Sequence, residues 1–220
     1  MTVADPPIRA DAGQESGPER FIFSDVDWAF YESVGEKLAD RRAFVTFYRG
    51  KLEVATVSLL HERICALLVI VIRVIAEETS VAIQGAGMAT LRRMDLDDGV
   101  EPDSSFYIAH EREMRGKTDL DLTVDPPPDL AIEVKVTRRL GARNTIYREL
   151  GVPEVWVYNT TGLAVLVKQD QAYVAVDRSP TFPLLSPQEI TDHIAAGLTQ
   201  DETTFAKAFR RRVQEVIAGA

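Results

Sequence analysis

A chain of 220 residues with 45% hydrophobic and 27% charged residues has the composition of an ordinary globular protein and the length for one sizeable core, which excludes a wholly disordered or fibrous polymer. The formal net charge of −9 argues against a surface coated in basic residues for non-specific nucleic-acid binding, although a local basic arc can coexist with an acidic remainder. The single Cys65 excludes an internal disulfide and a cysteine-type metal cluster; lying inside an apolar run, it reads as a core thiol of a reducing compartment.

Residues 1–20, MTVADPPIRADAGQESGPER, are rich in Pro, Gly, Ala and charge and carry no apolar period. They are expected to form a flexible tail ahead of one domain spanning 21–220. From Phe21 onward, Ser24 and Asp27 resemble a capping pair, and Trp28, Phe30, Tyr31, Val34 and Leu38 recur at helical spacing, predicting a first helix. FVTFYR at 44–49 and LEVATV at 52–57 alternate about Gly50 and Lys51 as a hairpin. Length and closing charges predict a helix over 61–79, against a β-branched content that pulls the other way. Its apolar run at 64–72 is interrupted by Arg73, Glu77 and Glu78 and is too short to span a bilayer. With no signal segment either, the cytoplasm is the expected location.

VAIQG, MATLRR at 88–93 and VEPDSSFYIA at 100–109 predict successive strands, with DLDDG at 95–99 as a turn and 110–128 as a charged, proline-ended loop. A strand over 129–136 and a helix over 139–150 follow, the helix stopped by Gly151 with Pro153 beyond. EVWVYN, LAVLVKQ and QAYVAVD read as three short strands. Ser186-Pro187-Gln188-Glu189 supplies an N-cap, a proline at the first helical position and a capping-box acid, and 201–217 places Phe205, Phe209, Val213 and Val216 on one face of a last helix. The expected class is α/β, more narrowly α+β: a mixed sheet flanked by helices, with an N-terminal helix and hairpin and two C-terminal helices.

The stretch PPPDLAIEVKVT at 126–137 carries the chemistry. On a strand, Glu133 and Lys135 fall on one face, while Ile132, Val134 and Val136 make the other an apolar, β-branched surface. An acid and a lysine side by side among apolar neighbours can hold a divalent cation and position a water. Taken alone the pattern is short and common, and a surface ion pair on an edge strand accounts for it better. Asp103, which follows Glu101-Pro102 on the preceding strand, converges with them if the strands pair, with Glu101 in reserve on the same face. Arg138, Arg139, Arg143 and Arg148 come next; such an arc can hold phosphates, and a solvated helix face explains it equally well.

Four strings, YRGKLEVATVSLLHERI at 48–64, GVEPDSSFYIA at 99–109, DLDLTVDPPPDLAIEVKVT at 119–137 and IYRELGVPEVWVYN at 146–159, together resemble the PD-(D/E)XK nuclease superfamily and, more narrowly, the group catalogued as putative restriction endonucleases. They span roughly half of the chain in the family's order. The resemblance implies a restriction-endonuclease-like fold with its nuclease core at about 61–158. It also implies a Mg²⁺-dependent site, with Mn²⁺ as a substitute, that hydrolyses phosphodiester bonds of DNA. Asp103, Glu133 and the Val134 backbone carbonyl would bind the metal, Glu53 would add a carboxylate, and Lys135 would orient or activate the attacking water. Relatives that lack this lysine carry a basic residue in the next helix, where this chain has Arg143. A guanidinium stays protonated and cannot act as a base, so Arg143 is expected to hold a phosphate, as is Arg139. His61 either contacts substrate or makes local hydrogen bonds at a helix start; Glu62 reads as a favourable first-turn acid. Tyr147 touches substrate or packs, and Gly151, Pro153 and Trp156 are architectural. Cutting both strands calls for two sites, hence a homodimer, through the C-terminal helices or 163–176. The competing class is a catalytically silent nuclease-fold module that binds nucleic acid or a protein partner.

Overall fold

The structure, a computed structural model, describes residues 20–38, 43–56, 58–135 and 143–219. The first strand, β1 (Arg20–Ser24), pairs antiparallel with β3 (Lys51–Ala55), from Arg20 opposite Ala55 to Ser24 opposite Lys51. Arg20, placed in the tail by the sequence, is thus in a strand, and residues 21–24, for which the sequence predicts no element of their own ahead of the first helix, pair with an available strand edge. That helix is α1 (Trp28–Leu38), and its cap is Asp27 rather than a Ser24–Asp27 pair, since Asp27 Oδ1 accepts the Phe30 N–H at 2.8 Å. The expected hairpin joins β2 (Phe44–Tyr48) to β3 through Arg49 and Gly50, which have φ of 45° and 77°. Two consecutive left-handed residues match the twist of the strands they join, and Gly50 adopts that conformation without strain.

The long helix α2 (Leu59–Glu78) starts two residues before its sequence estimate because Ser58 Oγ accepts the His61 N–H at 3.2 Å. Its Val and Ile residues are tolerated because most of its circumference is buried, from Ile64 to Ala76. Among the described residues no helix is long and apolar enough to cross a membrane.

The segment read as one strand over 100–109 is two. After β4 (Gln84–Gly85) and β5 (Leu91–Arg93), β6 (Asp98–Val100) joins β2 and β5, whereas β7 (Ser104–Tyr107) pairs with β4 and with β8 (Leu130–Lys135). Pro102 at the break has no N–H to give a ladder, so the chain leaves one sheet there and enters the other. The expected loop at 110–128 contains one helical turn, α3 (Glu111–Met114).

Two sheets result, in the orders β1-β3-β2-β6-β5 and β11-β10-β9-β8-β7-β4, where β9 is Glu154–Asn159, β10 Gly162–Gln169 and β11 Ala172–Val176. Among the described residues every pairing is antiparallel except β8 with β9, whose crossover includes α4 (Arg143–Leu150). Gly151, at φ 87°, ends α4 as the sequence indicates. Leu130, Ile132 and Val134 of β8 pack into a core with α2, α5 (Pro187–Gly197) and α6 (Glu202–Ala218); Ala131 packs on the opposite face with Ile146, Tyr147 and Leu150 of α4. The face that carries Glu133 is therefore the one roofed by α4. The capping box forms as expected, with Ser186 and Glu189 bonding reciprocally, and Phe205, Phe209 and Val213 are buried.

Candidate active site

The break at Pro102 places Asp103 against the middle of β8. Its N–H donates to Ile132 O at 3.0 Å and its Oδ2 accepts the Val134 N–H at 2.6 Å. A side chain thus takes over the ladder where proline interrupts it, and the carboxylate is fixed beside the peptide that joins Glu133 to Val134. His61 reaches the same oxygen from the first turn of α2, Nε2 to Oδ2 at 3.2 Å. The other ring nitrogen lies 3.3 Å from Glu62 Oε1 and 3.7 Å from Cys65 Sγ, and the ring meets Phe44 edge-on. His61 therefore makes its contacts to an acid that the sequence placed in the site, while Glu62 is a first-turn acid that also touches the histidine.

Glu133 is fully buried and gripped by α4. Arg143 Nε donates to Oε2 at 2.9 Å and Nη2 to Oε1 at 2.5 Å, a bidentate pair, and the Tyr147 hydroxyl also donates to Oε1. Arg143 donates further to Thr46 Oγ1 at 2.6 Å and to the Glu101 carbonyl at 2.5 Å. Burial, the largest effect, opposes the guanidinium charge, but Glu133 together with Tyr147 and Asp103 outweighs it and holds Arg143 above its usual range. Burial, reinforced by the Glu133 charge, pushes the Tyr147 hydroxyl far above its ordinary value, so it stays protonated and a donor. The Asp103 charge acts on both groups as well, which places the two carboxylates in one electrostatic neighbourhood.

Arg143, for which the sequence suggested a phosphate or a solvated face, is 2% exposed and turned inward. One signal for this was in the sequence: Arg143, Ile146, Tyr147 and Leu150 share a single i, i+3, i+4, i+7 stripe, so the arginine lies on the apolar face of its helix. Arg148 binds the Gln171 carbonyl and Glu149 near the surface; Arg138 and Arg139 lie outside the described residues.

Lys135, the last residue of β8, is half-buried, and its Nζ donates to Asn144 Oδ1 at 3.3 Å. Glu53 is buried directly across from Thr46 and pairs with Arg20, Nε to Oε2 at 3.3 Å. Glu101 is bound to the five-stranded sheet, accepting from Val45 N–H and Thr90 Oγ1, and burial raises its carboxyl pKa. Thr46 and Asn144 were not anticipated; a lone Thr in an apolar strand and an Asn beside an arginine carry no distinguishing pattern. A cleft of about 1040 Å³ lies alongside, and its walls include Phe44, Glu62 and Glu101 but not Asp103, Glu133 or Lys135. The cleft therefore borders the cluster without opening onto its carboxylates.

Asp103 and Glu133 offer hard carboxylate oxygens, the ligand type that suits Mg²⁺ or Mn²⁺. Any such ion would share Glu133 with Arg143 and Tyr147.

A family model described as "Uma2: Putative restriction endonuclease" matches residues 27–198. No curated protein matches the chain. Among solved structures, the chain is similar to the crystal structure of a putative nuclease belonging to DUF820 from Anabaena variabilis ATCC 29413, with a TM-score of 0.51 and 16% identity over 68% of this chain and 90% of that one. At that identity the likeness concerns the fold.

Proposed function

Since the chain belongs to the Uma2 family of putative restriction endonucleases, we propose that it is a metal-dependent endonuclease that hydrolyses phosphodiester bonds of DNA. The observation that carries the reading is the Asp103 carboxylate held on the Val134 N–H, one residue from Glu133. In this reading Asp103, Glu133 and the Val134 carbonyl hold Mg²⁺ or Mn²⁺, with Glu53 as an additional carboxylate. The bound cation would supply electrostatic stabilisation of the charge that develops on the scissile phosphate.

The protein's own groups do the positioning. Lys135, held by Asn144, orients the attacking water with its ammonium donors. Arg143 and Tyr147 fix the Glu133 carboxylate in one orientation, and His61 does the same for Asp103. Arg139 keeps the phosphate-binding role expected for the basic segment. A homodimer would bring two such sites to the two strands of a duplex.

One observation favours the alternative of a silent module that binds nucleic acid or a protein partner: the bidentate Arg143–Glu133 pair already neutralises one of the two carboxylates. Wild type and Lys135→Ala assayed on supercoiled plasmid and on single-stranded DNA, with Mg²⁺ and with Mn²⁺, separate the readings. Cleavage by wild type that drops by orders of magnitude in Lys135→Ala supports the enzyme. No cleavage by either protein leaves the binding module standing, and equal cleavage by both points to a contaminant or another site.

A further inference from the structure

Cys65 takes no part in the proposed nuclease chemistry, yet it lies one helical turn after His61 on the same face of α2, with Sγ 3.7 Å from Nδ1. Asp103 meets the other edge of the same ring. One ligand atom from each of His61, Cys65 and Asp103 can be chosen so that all three lie within 4.8 Å of one another. Zn²⁺ bonds of about 2.0–2.3 Å in tetrahedral geometry separate neighbouring ligand atoms by roughly 3.3–3.8 Å. The contraction required from 4.8 Å is on the order of 1 Å, within reach of side-chain rotation about a shared ring.

The donor types matter more than the spacing. A thiolate, an imidazole and a carboxylate form the set that a borderline-soft ion such as Zn²⁺ or Co²⁺ selects, whereas Mg²⁺ is indifferent to sulfur. Three protein ligands leave one coordination position open, which is the character of an exchangeable rather than a closed structural site. His61 and Asp103 are buried while Cys65 is only partly so.

We propose that His61, Cys65 and Asp103 form a Zn²⁺-class site that shares Asp103 with the hard-cation site, so that Zn²⁺ draws this carboxylate away and antagonises Mg²⁺. The antagonism rests on the nuclease reading; the site itself does not.

The test uses the full, reduced chain and Co²⁺ as the probe. Because Cys65 is the only cysteine, a thiolate-to-cobalt absorption band in the near ultraviolet can come from no other residue. The expected result is a band that saturates at one equivalent, disappears in Cys65→Ser, and requires roughly tenfold or more Co²⁺ in His61→Ala and in Asp103→Asn. A rise in melting temperature with Mn²⁺ that persists in Cys65→Ser verifies that this variant is folded and that its hard-cation site is intact. Absence of the band in wild type, or a band unchanged in both His61→Ala and Asp103→Asn, overturns the proposal, the second by showing a thiol that binds metal alone. Failure of the nuclease reading would appear separately, as no Mg²⁺-dependent cleavage while the cobalt band forms as described.

Discussion

Glu133 and Asp103 meet at the same stretch of β8, and the chain neutralises them by different means. Glu133 has a permanent cation, Arg143, clamped on both of its oxygens inside the α4 core. The contacts of Asp103 include a backbone N–H and an imidazole, neither of which carries an obligatory charge. A buried carboxylate paired with arginine is locked into the fold, because separating the pair leaves an uncompensated charge. A carboxylate balanced by an amide and a histidine can accept a cation at lower cost. The Glu133 half should therefore govern stability, and the Asp103 half should govern response to metal.

The largest break in that contrast is Arg143→Met, which strands the Glu133 charge and should destabilise the protein by about 3–5 kcal/mol. Chemical denaturation measures this, and Glu133→Gln combined with Arg143→Met should recover much of the loss. Arg143→Lys should rescue little, since an ammonium cannot make the two parallel bonds. If Arg143→Met unfolds at the wild-type midpoint, Glu133 is not locked as described.

Next in size is metal response. At a hundred times its dissociation constant, a divalent cation adds about 2.7 kcal/mol of stability, and Asp103→Ala should abolish that gain from Mg²⁺ and Mn²⁺. Titration calorimetry giving equal metal affinity for wild type, Asp103→Ala and Glu133→Ala would place the hard-cation site elsewhere.

A pH-dependent effect comes from the far end of α4. Asp98 of β6 is buried, neither of its carboxyl oxygens has a hydrogen-bond donor among the described residues, and its neighbours are Glu149 of α4, Arg49 and Asp97. Burial, then the Glu149 carboxyl, pushes Asp98 up to about 7. An acid that ionises near 4 when unfolded and about 7 when folded contributes stability that is complete below the lower value and is lost as pH rises through the upper one. The melting temperature should fall by about 2–4 °C for each ~1 kcal/mol so lost, and Asp98→Asn should flatten the profile between these pH values. A parallel decline in the variant would assign the slope to other groups. Lys135→Ala should have the least effect on stability, below about 0.5 kcal/mol by thermal melting, because the residue is only half-buried at the end of β8. A larger loss would make Lys135 a structural partner of Glu133.

Much of this architecture follows from local rules. Alternation in 130–135 assigns Ile132 and Val134 to one face of β8 and Glu133 and Lys135 to the other, Gly50 lies at the hairpin, Gly151 closes α4, and Ser186 to Glu189 caps α5. Each depends on residues within a few positions, where φ preference and side-chain period act directly. The four matched strings also sufficed to indicate the family. What tertiary structure decided is who neutralises whom. Thr46 and Arg143 are 97 positions apart, and Asp103 lies 31 positions from the Val134 N–H it accepts. The division of 100–109 between two sheets and the capture of Arg20 by the β3 edge depend on strands that no local pattern identifies as partners. A buried charge is stabilised by whichever group the assembled sheets bring to it, and until they assemble Arg143 is as consistent with a phosphate contact as with a core ion pair.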